Sequence, residues 1–410
     1  MIGLSRLQYD LCIYIPAIKI SFMITIADEN IPFVAQCFSS IGPVHTVSGR
    51  KITAGAVTEA DILLVRSITT VDRALLSGSK VRFVATATIG TEHVDEGYLR
   101  QANIGFASAP GSNANSVAEY IAAALLDIGR KQKVSLEGKS IGIIGVGNVG
   151  SRVEKKVKAL GMRTYLNDPP LQRQTGDSKY LPLERLFDCD FITIHTPLIF
   201  EGIDKTFHLA DEGFFKSVKK GCVFLNTSRG GVVDTQALKS AMKSGTLAAV
   251  VLDVWENEPD IDQELLRMAD LATPHIAGYS FDGKVAGMIM IYEAACKYFG
   301  LRTKYSIDDF LPPPKVPQIQ IDSISGNLQD VLHQAVQQVY PINRDDFNTK
   351  QILMVPPDKR GKFFDDLRKN YSVRREFQNT TIAIMQGLPA AEDIKRLAAI
   401  LKGLGFKAKQ

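Results

Sequence analysis

The chain has 410 residues, 45% of them hydrophobic and 22% charged, with a net charge of +4 at neutral pH. That length suits two to three domains with separate cores; the slight basic excess, lacking any Lys/Arg run interleaved with aromatics, excludes a nucleic-acid binder and suits an anionic small substrate, and no apolar stretch reaches the roughly 18 residues that a membrane span needs. Cys12, Cys37, Cys189, Cys222 and Cys296 are scattered without metal-ligand spacing, which points to reduced thiols, no metal centre and a cytoplasmic setting.

At the N-terminus, residues 11–20 are apolar, but Asp10 precedes them, Pro16 interrupts them and no small-residue cleavage site follows. Residues 1–22 are therefore expected to be a non-native upstream extension with Met23 the natural beginning; a signal peptide is the second reading. From Met23 a strand–helix alternation begins. Strands are expected at 23–27, 61–66, 81–86 and 105–109, with a helix from Pro32. Apolar runs of this kind, separated by helices, imply a parallel sheet buried on both faces.

Residues 113–130 read as a long helix, capped by Asn113 or Asn115, with Val117, Ile121, Ala124, Leu125 and Ile128 on one face. It bridges to a second alternation: strands at 140–144, 163–166, 190–194, 222–225, 248–254 and 271–273, with a helix at 149–160 after the first. This is the cadence of a doubly wound sheet. After Gly300, Leu311-Pro312-Pro313-Pro314 marks a stiff linker. Beyond it come strands at 318–321 and 381–385, a helix at 328–340, and a terminal helix with Ile394, Leu397, Leu401 and Leu404 on one face. The charge-dense stretch 359–375 reads as a solvated face, or else as an oligomer contact.

Ser140-Ile-Gly-Ile-Ile-Gly145-Val-Gly147-Asn148-Val149-Gly150 is a strand running through G-x-G-x-x-G into a helix. Gly145 permits the tight turn, Gly147 lets backbone approach a pyrophosphate, Gly150 lets helix pack on strand, and the new helix presents its N–H groups to the phosphates. Asp168, after the next strand, is placed to accept hydrogen bonds from the adenosine ribose, which favours NAD over NADP; Arg173 nearby is the feature that favours the 2′-phosphate instead.

Three later segments each follow a strand: Thr227-Ser228-Arg229-Gly230-Gly231, Asp253-Val-Trp255-Glu256-Asn-Glu258-Pro259, and Pro274-His275-Ile-Ala-Gly278-Tyr279. Ligands of open α/β sheets sit beyond the carboxyl ends of the strands, so the three converge on one crevice. A 2-hydroxy acid needs a planar guanidinium for its carboxylate, an imidazole to take the hydroxyl proton as hydride leaves, and a carboxylate to orient the imidazole. Arg229, His275 and Glu258 fill those roles. Pro259 and Pro274 stiffen the loops. His195 has no assignment.

These motifs together resemble the D-isomer-specific 2-hydroxyacid dehydrogenases, from Met23 to Gly300. A subgroup acting on a phosphorylated four-carbon substrate is resembled more closely. The likeness is carried by Asp28-Glu29-Asn30, Val65-Arg66-Ser67-Ile68-Thr69, Thr86-Ala-Thr88-Ile-Gly90-Thr91, Ala109-Pro110-Gly111-Ser112-Asn113-Ala114, Asn167-Asp168-Pro169-Pro170, Leu367-Arg-Lys-Asn-Tyr371 and Arg374-Arg375-Glu376; it covers nearly everything after residue 22, with Gly231 and Ser112 standing where other residues are common. The resemblance implies two doubly wound, Rossmann- or flavodoxin-like domains and a small α+β dimerisation domain. The substrate-binding domain would comprise 23–112 and 279–305, the NAD-binding domain 113–278, the linker 306–316 and the dimerisation domain 317–410. It further implies that Ser67, Thr88 and Tyr279 contact substrate, that Asp168, Thr196, Asp253 and Gly278 contact NAD, that Arg229 and Glu258 are catalytic, and that His275 is the proton donor in the reducing direction. A homodimer is implied, with no nucleic-acid or membrane partner.

For the substrate phosphate, Arg66 at a strand terminus is the candidate, with a basic residue of 359–375 from a partner chain as the alternative. The rival readings are a phosphoglycerate or hydroxypyruvate type of dehydrogenase, and a nucleotide-sensing protein on the same fold. Closure over the substrate is expected, hinged at 109–115 and 274–282.

Overall fold

The computed structural model describes residues 23–322, 327–384 and 391–409. The expectation for 1–22, and position 385 of the strand expected at 381–385, lie outside them. The first sheet holds β1 (Thr25–Asp28), β2 (Val44–Val47), β3 (Ile62–Val65), β4 (Phe83–Thr86) and β5 (Gly105–Ala107), all parallel in the order β2-β1-β3-β4-β5. Every residue of β1, β3 and β4 is buried, because helices cover both faces. β2 (Val-His-Thr-Val) is an edge strand with two exposed residues, and its alternation is too short and polar to announce itself. The helix Phe281–Phe299 returns from the second domain to pack Val285, Met288, Ile291 and Tyr292 against Ala27, Leu64, Phe83 and Ala85.

The second sheet holds β6 (Ser140–Ile144), β7 (Arg163–Asn167), β8 (Phe191–Ile194), β9 (Cys222–Asn226), β10 (Leu247–Leu252) and β11 (Leu271–Ala272), in the parallel order β11-β10-β9-β8-β6-β7. The chain leaves β6 for β7 on one side and then crosses to β8 on the other. That reversal opens a crevice at the carboxyl ends of β6 and β8, where such folds bind ligands.

A third, small sheet is also parallel: β12 (Gln318–Ile321), β13 (Thr381–Ile384) and β14 (Lys407–Lys409). Its helices Leu328–Val339 and Ala391–Leu404 share one continuous core with the second domain, in which Val331, Val336, Leu397 and Leu401 join Leu125, Val153 and Val157. This union alters three expectations. The bridging helix, Ala114–Lys131, is buried on nearly all sides from Ser116 to Gly129, because the C-terminal unit covers the face opposite the sheet. Neither asparagine caps it: the Asn113 side chain makes no capping bond, and the Asn115 amide donates instead to Glu119 Oε1 (3.1 Å) and Glu376 Oε2 (2.6 Å). And the 359–375 stretch is not a solvated face throughout, since Phe364, Arg374 and Arg375 are buried against their own chain.

The connecting stretch 306–316 is anchored as well, with Phe310 buried in the first domain's core and the Pro312 carbonyl bonded by Arg375. Cys37, Cys189, Cys222 and Cys296 are free and buried; burial pushes the thiols of Cys37 and Cys222 up to about 12. Among the described residues no helix is long and apolar enough to cross a membrane.

Candidate active site

The glycine turn follows β6. Gly145 adopts φ +84°, and its N–H donates to the Asn167 carbonyl at 2.8 Å, tying the turn to β7. A Cβ on Gly150 would lie 2.0 Å from the Gly145 carbonyl oxygen, so only glycine lets the helix Asn148–Ala159 start this close to the strand. Gly147, by contrast, faces open space, with nothing within 4 Å of where a Cβ would be. Asn148 stands beside Gly111 of the first domain, and Val149 packs against the second domain's core.

At the tip of β7 the Asp168 carboxylate accepts from Val146 N–H (2.8 Å) and Leu171 N–H (2.9 Å). Arg173, the cation that would favour a 2′-phosphate, is held by Asp204 at 2.6 Å. Thr196, beside Gly145, has a buried hydroxyl with no hydrogen-bond partner among the described residues. The open cradle at Gly147, the N-terminus of a 12-residue helix, the Asp168 carboxylate and the unpartnered Thr196 hydroxyl fit a dinucleotide, whose pyrophosphate needs close backbone N–H groups and whose ribose needs acceptors. Next to them His195 bonds Thr193 Oγ1 (3.0 Å) and Thr227 Oγ1 (3.3 Å). Its burial pushes the imidazole down to about 3, so it is neutral at physiological pH.

From Thr227 the chain leads to Arg229. The next residue, Gly230, lies so close to the Trp255 carbonyl that a Cβ would meet it at 1.8 Å, so the loops after β9 and β10 touch. Trp255 N–H donates to Glu258 Oε1 at 2.8 Å, and the Trp255 indole N–H to the Thr273 carbonyl at 2.9 Å. Glu258 Oε2 in turn lies 2.8 Å from His275 Nδ1. A continuous set of contacts thus runs from the glycine turn through His195, Thr227, Gly230 and Trp255 to the Glu258–His275 pair. Burial pushes the Glu258 carboxyl up, but the His275 charge, with hydrogen bonds from His275 and Trp255, outweighs this and brings it below the usual glutamate range.

His275 sits at φ +59°, a left-handed conformation uncommon for a residue with a Cβ. It is held there from behind. Its N–H donates to the Asp253 carbonyl at 2.6 Å, and the buried Asp253 carboxylate accepts from Thr273 Oγ1 (2.6 Å), Ile276 N–H (2.7 Å) and Ala277 N–H (2.9 Å). Asp253, expected to contact NAD, therefore has both oxygens engaged by the loop. Gly278 has no room for a side chain, because a Cβ would lie 2.1 Å from Asn113 Nδ2.

The first domain faces this set across the cleft. Arg229 Nε and Nη2 both lie 3.3 Å from Glu92 Oε1, and Nη1 donates to the Ser228 carbonyl at 2.9 Å. Thr88, two residues before the Gly90 that abuts Arg229, bonds Thr86 Oγ1 (2.6 Å) and the Gly90 carbonyl (3.1 Å). Ser67 is exposed and Arg66 half-buried just after β3. The Tyr279 ring carries Lys284 Nζ at 4.4 Å and the Arg368 guanidinium at 6.0 Å from its centroid. Beside it is a cavity of about 180 Å³ lined by Asn30, Tyr279, Lys284, Tyr371 and Ser372 among others. Burial, then the nearby charges of Arg66 and Arg374, lowers the Lys284 ammonium to about 8.

Three residues at or beside this cleft are not legible in the sequence, and a fourth, Arg368 of the Leu367–Tyr371 motif, reaches Tyr279 of its own chain rather than a partner's site. Glu92 and Lys284 carry no motif. His208 pairs with Glu256 at 2.8 Å, a contact between loops that spacing does not disclose. Among the described residues no group of three His, Cys, Asp or Glu side chains is placed to hold a metal ion.

Comparison with known proteins agrees with this architecture. Residues 119–277 match the D-isomer specific 2-hydroxyacid dehydrogenase NAD binding domain, and residues 310–400 a domain of unknown function (DUF3410). The chain is 42% identical to the erythronate-4-phosphate dehydrogenase of Cronobacter sakazakii over 93% of its own length and 98% of that protein's, and 41% identical to that of Klebsiella pneumoniae with the same coverage. Among solved structures, the NAD+-bound 3-phosphoglycerate dehydrogenase of Entamoeba histolytica matches at TM-score 0.58 and 24% identity, covering 70% of this chain and 99% of that one. The D-lactate dehydrogenase of Aquifex aeolicus, complexed with NAD and lactic acid, matches at TM-score 0.55 and 24% identity, covering 68% and 95%. These two structural likenesses concern the fold. The chain belongs to the erythronate-4-phosphate dehydrogenase family, within the D-isomer-specific 2-hydroxyacid dehydrogenases.

Proposed function

We propose that this protein catalyses the NAD-dependent oxidation of 4-phospho-D-erythronate to (R)-3-hydroxy-2-oxo-4-phosphobutanoate, a step in the biosynthesis of pyridoxal 5′-phosphate. The observation that carries the reading is the 2.8 Å pairing of His275 Nδ1 with Glu258, one strand end away from Arg229, in a chain matched over nearly its full length by dehydrogenases of that name. Bound NAD supplies the acceptor for the hydride that leaves C2. Gly147 and the helix after it hold the pyrophosphate end, and Asp168 and Thr196 the ribose side. Arg229 exchanges its long contact with Glu92 for the substrate carboxylate, for which a guanidinium is the better-matched planar partner. His275, with Nδ1 engaged by Glu258, presents Nε2 to the C2 hydroxyl and takes its proton; Glu258 fixes the ring and stabilises the imidazolium that forms. In the reverse direction the same nitrogen returns the proton.

Arg66 is assigned to the phosphate end. Lys284 and Arg368 of the same chain, gathered around Tyr279, provide cationic company without a partner subunit. Ser67 and Thr88 line the side of the cleft formed by the first domain. A homodimer through residues 317–410 is supported by large apolar side chains left exposed among the described residues there, Phe347 (63%), Met354 (84%) and Val373 (43%). The experiment that tests the activity is NADH formation with 4-phosphoerythronate, 3-phosphoglycerate and glycerate offered separately. A clear preference for the first supports this reading, and equal or better turnover of 3-phosphoglycerate overturns it.

A further inference from the structure

Two chain crossings join the first and second domains: the outgoing one at Gly111–Ser116 and the returning one at Ala277–Asp282. They are packed directly on each other, since Ser116 Oγ donates to the Ala277 carbonyl at 2.8 Å and accepts from Ser280 N–H at 3.0 Å. A segment distant in sequence, Arg374–Phe377, is threaded against both. Arg374 Nη2 bonds Ser116 Oγ and, at 3.0 Å, the Ala277 carbonyl; the Arg374 carbonyl accepts from Phe281 N–H at 2.7 Å. Arg375 grips Asp282 at 2.8 and 3.1 Å. Glu376 accepts from Asn115 (2.6 Å) on the outgoing crossing and from Ser280 Oγ (2.8 Å) on the returning one. Phe377 N–H donates to Glu119 on the bridging helix at 2.9 Å.

This is an unusual place for buried ions. Arg374, Arg375, Glu376, Asp282 and Glu119 are each no more than 6% exposed. If the C-terminal unit needed only adhesion, apolar side chains of similar size would supply it without the desolvation that buried charges entail; an attested use of buried charges is to select one arrangement. The arrangement selected here bears on the reacting groups. The Ala277 peptide is held from both sides, its N–H by Asp253 and its carbonyl by Ser116 and Arg374. Two residues earlier is His275, in a backbone conformation that persists only when its surroundings over-determine it. The Ser280 hydroxyl that Glu376 orients is also the N-cap of Phe281–Phe299, accepting from Gly283 N–H at 2.9 Å, and that helix carries Lys284 into the cleft.

We propose that Arg374 and Glu376 are positioning residues for the dehydrogenase reaction: through them the C-terminal unit, which matches a domain of unknown function, sets the interdomain hinge and the loop that holds His275. The inference rests on the reading of His275 as the proton-transferring group. It predicts that Arg374 and Glu376 act on the chemical step and leave the dinucleotide site, which lies at β6 and β7, as it is.

The test uses the full chain carrying Arg374→Ala, Arg374→Lys and Glu376→Gln, each compared with wild type by kcat and KM for 4-phosphoerythronate, by NADH affinity from fluorescence titration, and by amide hydrogen exchange over residues 276–283. The expected result is a kcat loss of roughly 10²-fold in Arg374→Ala, the scale at which an ångström of misplacement slows an enzyme. NADH affinity stays within threefold, Arg374→Lys recovers part of the rate, and the Phe281 and Ala277 amides exchange faster. Glu376→Gln keeps the volume and guards against a misfolded alanine variant; it shows the same split with a smaller loss. Wild-type kcat in both Arg374→Lys and Glu376→Gln together with unchanged exchange overturns the proposal, as does a fall in NADH affinity matching the fall in kcat. Hydrogen exchange does not depend on turnover, so a wild type inactive on 4-phosphoerythronate refutes the substrate reading while the exchange result still decides the hinge contact.

Discussion

His275 Nδ1 lies 2.8 Å from Glu258 Oε2, and the other oxygen of that carboxylate is fixed by Trp255 N–H at the same distance, so one side chain both holds its own loop and aims the imidazole. Glu258→Gln keeps the shape and removes the counter-charge. The imidazolium formed during oxidation is then less stable. We expect kcat to fall by roughly 10² to 10⁴, the range of general acid–base contributions. Steady-state kinetics on the variant check this.

Lys284 carries its charge only below about pH 8. Its ammonium form is the one that attracts a phosphorylated substrate, so KM for that substrate rises as pH passes upward through this value. Lys284→Met should raise KM at pH 7 and abolish the alkaline rise, while kcat changes little. Arg66→Ala should raise KM across the whole pH range, because a guanidinium does not titrate there. KM against pH for the three proteins checks this.

Gly147 and Gly150 are separated by one helical turn and should respond oppositely. A methyl on Gly147 meets nothing in the protein, so Gly147→Ala folds with an unchanged Tm but weakens NAD binding by roughly tenfold or more, equivalent to about 1.4 kcal/mol. Gly150→Ala drives a Cβ into the Gly145 carbonyl and should lower Tm markedly through overpacking of about 1–3 kcal/mol. Calorimetry beside NADH titration separates the two effects.

His195 is half-buried and neutral, its imidazole held down to about 3 by desolvation. In the unfolded chain a histidine protonates near pH 6.5. Between those values the unfolded state binds the extra proton, so stability is lost as pH falls from about 6.5 toward 3. The effect is fully absent above that window. His195→Gln should flatten the acid side of the Tm–pH curve relative to wild type, without altering the slope above pH 7. Thermal melts of both proteins from pH 4 to 8 check this.

The parts of this structure that are readable from the chain are those in which local sequence is the constraint. Gly145 and Gly150 are required by a positive φ and by a contact no side chain allows, and β3 is a continuous apolar run because helices bury both faces. What escapes reading is set by distant partners. Asn113 and Asn115 look like caps by composition, yet Gly278 crowds the first and Glu376 draws away the second. Arg374 looks like part of a solvated charge run, yet it lies under the Tyr340 ring at 4.1 Å with Ser116 and Ala277 as its acceptors. β14, Lys-Ala-Lys, carries no apolar signal at all. Its pairing with β13 comes from the edge left open there.

The most direct test of the central claim, that His275 moves the proton in a cleft where Arg229 holds the substrate carboxylate, is initial-rate NADH formation from 4-phosphoerythronate by wild type, His275→Ala and Arg229→Gln. The account predicts a fall in kcat of roughly 10² to 10⁴ for His275→Ala with NADH affinity retained, and for Arg229→Gln a loss in kcat/KM carried largely by KM. Turnover by His275→Ala within a few-fold of wild type would contradict it.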